Sequence, residues 1–172
     1  MASTRLNRTF STADNYKKQT LSVWVKLSKV SSGVRRVVGA YNGSSTYSTS
    51  LNFLSSDELR LEFGGSSQYS LVTNRRFRDT NGWYHIVVAI DTTQATASNR
   101  VKFYINGVQE TSFSTANYPA QNNVSQWTHA NSNMNIGAGW GNGSNYFDGS
   151  MAHVHFCDGY TYQASDFGET DS

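Results

Sequence analysis

The sequence predicts an all-β protein, and three observations carry that prediction. Apolar residues recur at a spacing of two, clusters of Gly, Ser and Asn separate the alternating runs, and a 3.6-residue repeat is almost absent. Many short strands joined by such turns at close spacing form a sandwich or a barrel.

Each element follows from its own pattern. In residues 21–27, Leu21, Val23, Val25 and Leu27 alternate with Ser22, Trp24 and Lys26, the signature of a strand with one buried face. Residues 58–63 repeat it, with Leu59, Leu61 and Phe63 inward and Glu58, Arg60 and Glu62 outward as a surface charge ladder. Residues 84–90 are apolar on both faces, which places that strand centrally, covered on each side. Residues 101–105 alternate again and run into Asn106-Gly107, a strong hairpin signal. Residues 134–137 and 152–156 supply further strands, and turns fall at 31–33, 42–45, 64–67 and 137–144. Pro119, the one proline, lies in the longest irregular stretch, 114–133, and one helical turn is expected at 164–167. Without a repeat or linker, one domain is expected over residues 1–172, with 1–12 as an N-terminal arm or first strand.

Composition excludes several classes of function. The 14 basic and 12 acidic side chains nearly balance, and only 15% of residues are charged, so solubility rests on Ser, Thr, Asn, Gln and Gly. The one basic cluster, Arg75, Arg76 and Arg78, has no flanking basic face and reads as a solvated turn, not a nucleic-acid surface. No run approaches the roughly 18 apolar residues of a membrane span, so no membrane insertion is expected. Residues 1–10 carry arginines without an apolar run, so no secretion signal is expected there. The sequons at Asn7, Asn42, Asn123 and Asn142 then follow from an Asn/Ser/Thr-rich composition. Cys157 is alone, which excludes an internal disulfide and accords with assembly in a reducing cytoplasm.

Two segments carry a family resemblance. Trp83-Tyr84-His85-Ile86-Val87-Val88-Ala89-Ile90-Asp91, followed by Val101-Lys102-Phe103-Tyr104-Ile105-Asn106-Gly107, is the first. Ile136-Gly137 with Phe147-Asp148-Gly149-Ser150-Met151-Ala152-His153-Val154 is the second. Together they resemble the laminin G-like, pentraxin-like branch of the concanavalin A-like superfamily. That resemblance implies a two-sheet antiparallel jelly-roll sandwich. Residues 91–102 and 146–171 are in addition similar to modules of marine bacteriophage structural proteins, in tail fibres, tail-associated proteins and head-decorating proteins. In this architecture Trp83 is expected to plug the sandwich edge, Asn106-Gly107 to supply the positive φ angles of a tight turn, and Gly149 to permit a bend into the last strand.

Candidate chemistry is sparse. Glu58 and Glu62 are the best carboxylate pair, but four residues of strand separate them by ~13 Å. Glycoside hydrolysis requires about 5–9.5 Å, so no catalytic residue is assigned. His153 and His155 share one face of the last strand at a spacing that can hold a metal. With no third ligand nearby in sequence they read as polar surface. Calcium, known in related domains, would have to draw on Asp14, Asp91 and Asp148, which form no D-x-D cluster, so no metal or cofactor is assigned. Cys157 reads as a packed small hydrophobe, and the glycine run 137–143 lacks the Lys and helix of a phosphate loop.

One constellation favours binding. Trp140, Asn142, Asn145 and Tyr146 lie in a glycine-rich loop and offer an aromatic face and amides, as sugar recognition requires; Tyr41, Asn42 and Tyr47 form a weaker set. The alternative for Trp140 and Tyr146 is burial at the sandwich edge or against a neighbouring subunit. The reading is therefore a non-enzymatic virion structural protein, a head decoration or tail-fibre subunit assembled in the host cytoplasm. Its expected partners are capsid or tail subunits and host-surface glycans, with a homotrimer as the fibre alternative. A free-standing glycan- or receptor-binding lectin is the second reading, and a polysaccharide hydrolase the third.

Overall fold

The computed structural model describes residues 4–11, 15–43, 48–64, 68–139 and 145–168. Among the described residues twelve strands follow one another: β1 (Leu6–Thr9), β2 (Lys18–Leu27), β3 (Arg35–Tyr41), β4 (Ser48–Phe53), β5 (Glu58–Phe63) and β6 (Tyr69–Arg76) in the first half, then β7 (Tyr84–Asp91), β8 (Val101–Ile105), β9 (Val108–Glu110), β10 (Phe113–Asn117), β11 (Asn133–Ile136) and β12 (Gly149–Asp158). Short 3-10 turns at Ala97–Asn99 and Ala164–Asp166 are the helical elements among the described residues.

The strands form two antiparallel sheets. One has seven strands in the order β1-β11-β3-β4-β5-β6-β10, the other five in the order β12-β2-β7-β8-β9. β7 is the middle strand of five and is buried along nearly its whole length, as its two apolar faces require. Leu21, Val23, Val25 and Leu27 of β2, Ile86, Val88 and Ile90 of β7, and Phe103 and Ile105 of β8 face inward from one sheet. Val38, Leu51, Phe53, Leu59, Leu61, Phe63 and Leu71 meet them from the other, forming one core. Each such side chain contributes roughly 1.5–3 kcal/mol by leaving water. The outer face of β7 is covered in turn: Val87 and Tyr104 pack against Ala164 and Phe167 of the segment that follows β12.

The turns follow the local chemistry. Asn106 (φ 50°) and Gly107 (φ 82°) close the β8–β9 hairpin, with Ile105 opposite Val108. At Gly149, where β12 enters the sheet, an added Cβ would stand 2.1 Å from the Lys26 carbonyl oxygen.

Four expectations need correction. Trp83 does not plug the sandwich; it is 41% exposed. The end it was expected to close is filled by Phe77, which meets Phe53 at 5.2 Å and Tyr84 at 5.1 Å, both edge-to-face. Residues 114–133 are not irregular throughout, because β10 opens them and pairs with β6. Arg75, Arg76 and Arg78 are solvated as expected but do not form a turn: Arg75 and Arg76 end β6, and the three pair with Glu110, Glu58 and Asp57 at 2.8, 3.2 and 3.3 Å. Finally, the outward face of β5 is not a solvated charge ladder, since Glu62 is only 4% exposed.

Candidate functional site

The site begins with the loop that alternation cannot organise, the stretch between β11 and β12. Its base is pinned on both sides. The Phe147 amide donates to the Gly137 carbonyl at 2.9 Å, and the Gly137 amide donates to Val37 at 2.8 Å. The Arg36 amide donates to the Asn145 carbonyl at 2.9 Å, and Asn135 Nδ2 donates to Gly139 at 2.9 Å. Gly39 is compatible with this crossing: a Cβ there would lie 3.2–3.3 Å from the backbone of Ala138 and Gly139. The loop base therefore rests on the outer face of the seven-stranded sheet.

Beneath it lies a polar floor. Ser50 and Asn52 of β4, Arg60 and Glu62 of β5 and Arg36 of β3 point away from the core. Except for Arg60, which is intermediate, all are buried. Arg60 meets the Glu62 carboxylate at 2.8 Å and Arg36 meets it at 3.7 Å. Ser50 Oγ donates to Glu62 at 2.7 Å, and Asn52 Nδ2 donates to Ser50 at 3.1 Å. Burial holds the Arg36 guanidinium below its ordinary pKa, with the nearby Glu62 carboxylate opposing. Two arginines thus clamp one carboxylate, that of Glu62.

On the other side of the loop base a groove of about 920 Å³ opens. Arg5, just before β1, and Leu6 at its start line it, with Lys29 and Ser32 from the β2–β3 loop and Asn145, Tyr146 and Asp148 from the segment entering β12. Arg5 Nη1 reaches the Tyr146 hydroxyl at 3.5 Å. Asp148 accepts from Ser28 Oγ at 2.5 Å and pairs with Lys29 at 2.9 Å. Those two contacts, Ser28 first, hold its carboxyl below the usual carboxylate range. Behind the groove wall, Arg35 pairs with the fully buried Asp57 at 3.0 Å and donates to Lys29 at 2.6 Å, which fixes the β2–β3 loop. The groove can thus offer an aromatic ring, an amide and fixed charges to a polar ligand.

The sequence-derived site residues divide accordingly. Asn145 and Tyr146 line the groove, while Trp140 and Asn142 lie outside the described residues. In the weaker set, Tyr41 ends β3, Asn42 carries a buried carbonyl oxygen without a partner, and Tyr47 lies outside the described residues. Sequence reasoning missed Arg5, Lys29 and Ser32, which stand more than a hundred residues from Tyr146 along the chain. No local pattern could have found them. The carboxylates considered for calcium do not converge: Asp91 lies opposite Lys18 and Asp148 lies beside Ser28, at opposite ends of β2, and Asp14 is outside the described residues.

Two face-to-face antiparallel sheets with a polar groove where one edge meets the loops define a lectin-like sandwich. The chain belongs to the concanavalin A-like lectin/glucanases superfamily, whose Laminin G model matches residues 4–163. Solved structures agree on the fold. Domain 4 of an extracellular arabinanase from Geobacillus stearothermophilus, solved with arabinotriose, superposes with a TM-score of 0.65 at 21% identity, covering 91% of this chain and 68% of that one. A heptameric pentraxin from Limulus polyphemus gives 0.64 at 16% identity, covering 94% and 72%. The CBM40 module of a Ruminococcus gnavus sialidase, bound to sialyllactose, gives 0.65 at 14% identity, covering 89% and 81%. No curated protein matches the sequence significantly.

Proposed function

We propose that this chain is a non-catalytic glycan-binding module displayed on a bacteriophage particle. The observation that carries the binding half is the groove, where Tyr146, Asn145, Arg5 and Lys29 converge from three separate stretches of chain. An aromatic ring packs against sugar C–H groups while amide and charged groups bond the hydroxyls, so these residue types suit a saccharide. The lectin-like fold and the sugar-bound structures that share it support the same class of ligand. The particle half rests on the likeness of residues 91–102 and 146–171 to phage structural modules. Capsid or tail subunits are then its protein partners, and the virion its location.

Binding is tested by screening host-surface polysaccharides against the parent chain and Tyr146→Ala. The variant is expected to lose at least about tenfold in affinity, or roughly 1.4 kcal/mol, while its melting temperature stays nearly unchanged. A variant that melts much earlier would make Tyr146 structural and sink the assignment. The particle setting is tested by the copy number per purified virion, measured by quantitative mass spectrometry. Parity with the major capsid protein means head decoration, a many-fold lower number means a tail component, and absence refutes the virion setting.

A further inference from the structure

We propose that His153 and His155 form a two-histidine site for a divalent transition-metal cation on the outer face of the five-stranded sheet. The argument starts from a register shift. Ala152 stands opposite Trp24 and His155 opposite Ser22, so three steps along β12 match two along β2. Trp24 and Ser22 point outward because Leu21, Val23 and Val25 point into the core. Ala152 and His155 therefore both face outward as well. In an unbroken strand, residues three apart would face opposite sides. The extra residue is His153, held at φ 47°. That is a left-handed conformation which a histidine adopts only at a cost.

What the bulge achieves is specific. Val154 still packs against the core, and both imidazoles stand exposed on the outer face. Their rings lie nearly parallel, 18° apart, with centroids 6.4 Å from one another. A bulge re-aims side chains at the expense of ladder pairing, and here it turns outward two histidines that unbroken alternation from Ala152 would have pointed into the core. Neutral imidazole is a ligand for Zn²⁺, Ni²⁺ and Cu²⁺ at nitrogen–metal distances of about 2.0–2.1 Å, which brings two ring centres to about 5 Å in tetrahedral geometry. Rotations of the two exposed side chains that close the centroids by about 1.4 Å reach that spacing. His85 is not a third ligand: its Nε2 is engaged with Ser22 Oγ at 2.9 Å, and its ring stacks on Trp24 at 4.8 Å. Among the described residues no group of three or more His, Cys, Asp or Glu gathers, so water completes the coordination.

The test titrates the full chain with zinc chloride and, separately, nickel chloride near neutral pH, followed by calorimetry and by imidazole NMR signals. One cation per chain is expected, with the His153 and His155 resonances moving together. His153→Ala and His155→Ala should each weaken binding at least about tenfold, and the double variant should abolish it. His153→Gly separates a ligand from a structural residue: relief of the φ strain should raise the melting temperature while cation binding is lost. Absence of heat and of imidazole shifts at excess cation, or full-strength binding in the double variant, would overturn the proposal. A His153→Gly chain that melts much earlier than the parent would do the same.

Discussion

Gly149 and Gly33 show how differently two glycines at positive φ constrain this chain. At Gly33 (φ 89°) no atom lies within 4 Å of an added Cβ, so only backbone strain opposes a side chain. At Gly149 the same atom would sit 2.1 Å from the Lys26 carbonyl oxygen and 2.9 Å from the Phe147 ring. Alanine at 149 therefore clashes with both the β2 backbone and the Phe147 side chain. Gly149→Ala is expected to cost about 2 kcal/mol or more in urea denaturation, and Gly33→Ala about 1 kcal/mol or less. Equal costs would mean that conformation alone, not contact with β2, demands glycine at the entry to β12.

Elements that carry no regular structure still support the core. Between β10 and β11 the chain runs without a strand, yet it places Trp127 at 0% exposure with its ring 5.8 Å from Phe156, edge-on. The Gln126 amide donates to Thr49 Oγ1 at 2.9 Å, and the Trp127 amide donates to Ser125 Oγ at 3.2 Å, so the segment is tied to β4 as well as to itself. Trp127→Ala should cost about 3–5 kcal/mol by leaving a cavity. Trp127→Phe should cost distinctly less, because the indole Nε1 is buried without a partner and its removal breaks no hydrogen bond. The midpoints of urea unfolding for the two variants check this. Nearly equal losses would show that the indole nitrogen matters after all.

For the molecule as a whole, acid should act in two stages. His85 is held below its ordinary pKa, first by burial and then by the charge of His155. A base whose folded pKa is lowered binds protons more readily when unfolded. Its contribution is therefore complete above about pH 6.5 and is lost as the pH falls below that value toward the folded pKa. The carboxyls act in the same sense, for a different reason. Burial alone would raise Asp57 and Asp91, but their hydrogen bonds overcome it: the Ser31 amide, Arg35, Ser31 Oγ and Arg78 for Asp57, and Thr93 and Gln94, with the Lys18 charge, for Asp91. Their stabilisation is present above about pH 3.9 and is lost as the pH falls from there through the folded values. A stability–pH profile should thus decline first below about pH 6.5 and again below about pH 3.9. His85→Gln should remove the first decline and leave the second. A first decline that survives the substitution would overturn the assignment to His85.

The sequence by itself determined what depends on near neighbours. Strict alternation announced β2, β5 and β8, an apolar run on both faces announced the central β7, Asn106-Gly107 announced the hairpin, and the turn at 164–166 was readable from its own residues. The family motifs turned those strands into a concanavalin A-like sandwich, and half of the candidate loop, Asn145 and Tyr146, does line a groove. What alternation could not say is whether an outward side chain meets water. That depends on which distant segment crosses it, so Glu62 looked solvated and is buried, while Trp83 looked buried and is exposed. Only the tertiary structure brought Arg5 and Lys29 beside Tyr146. Only the pairing of β12 with β2 showed the extra residue at His153, because a bulge exists in the register between two strands and not in either strand alone.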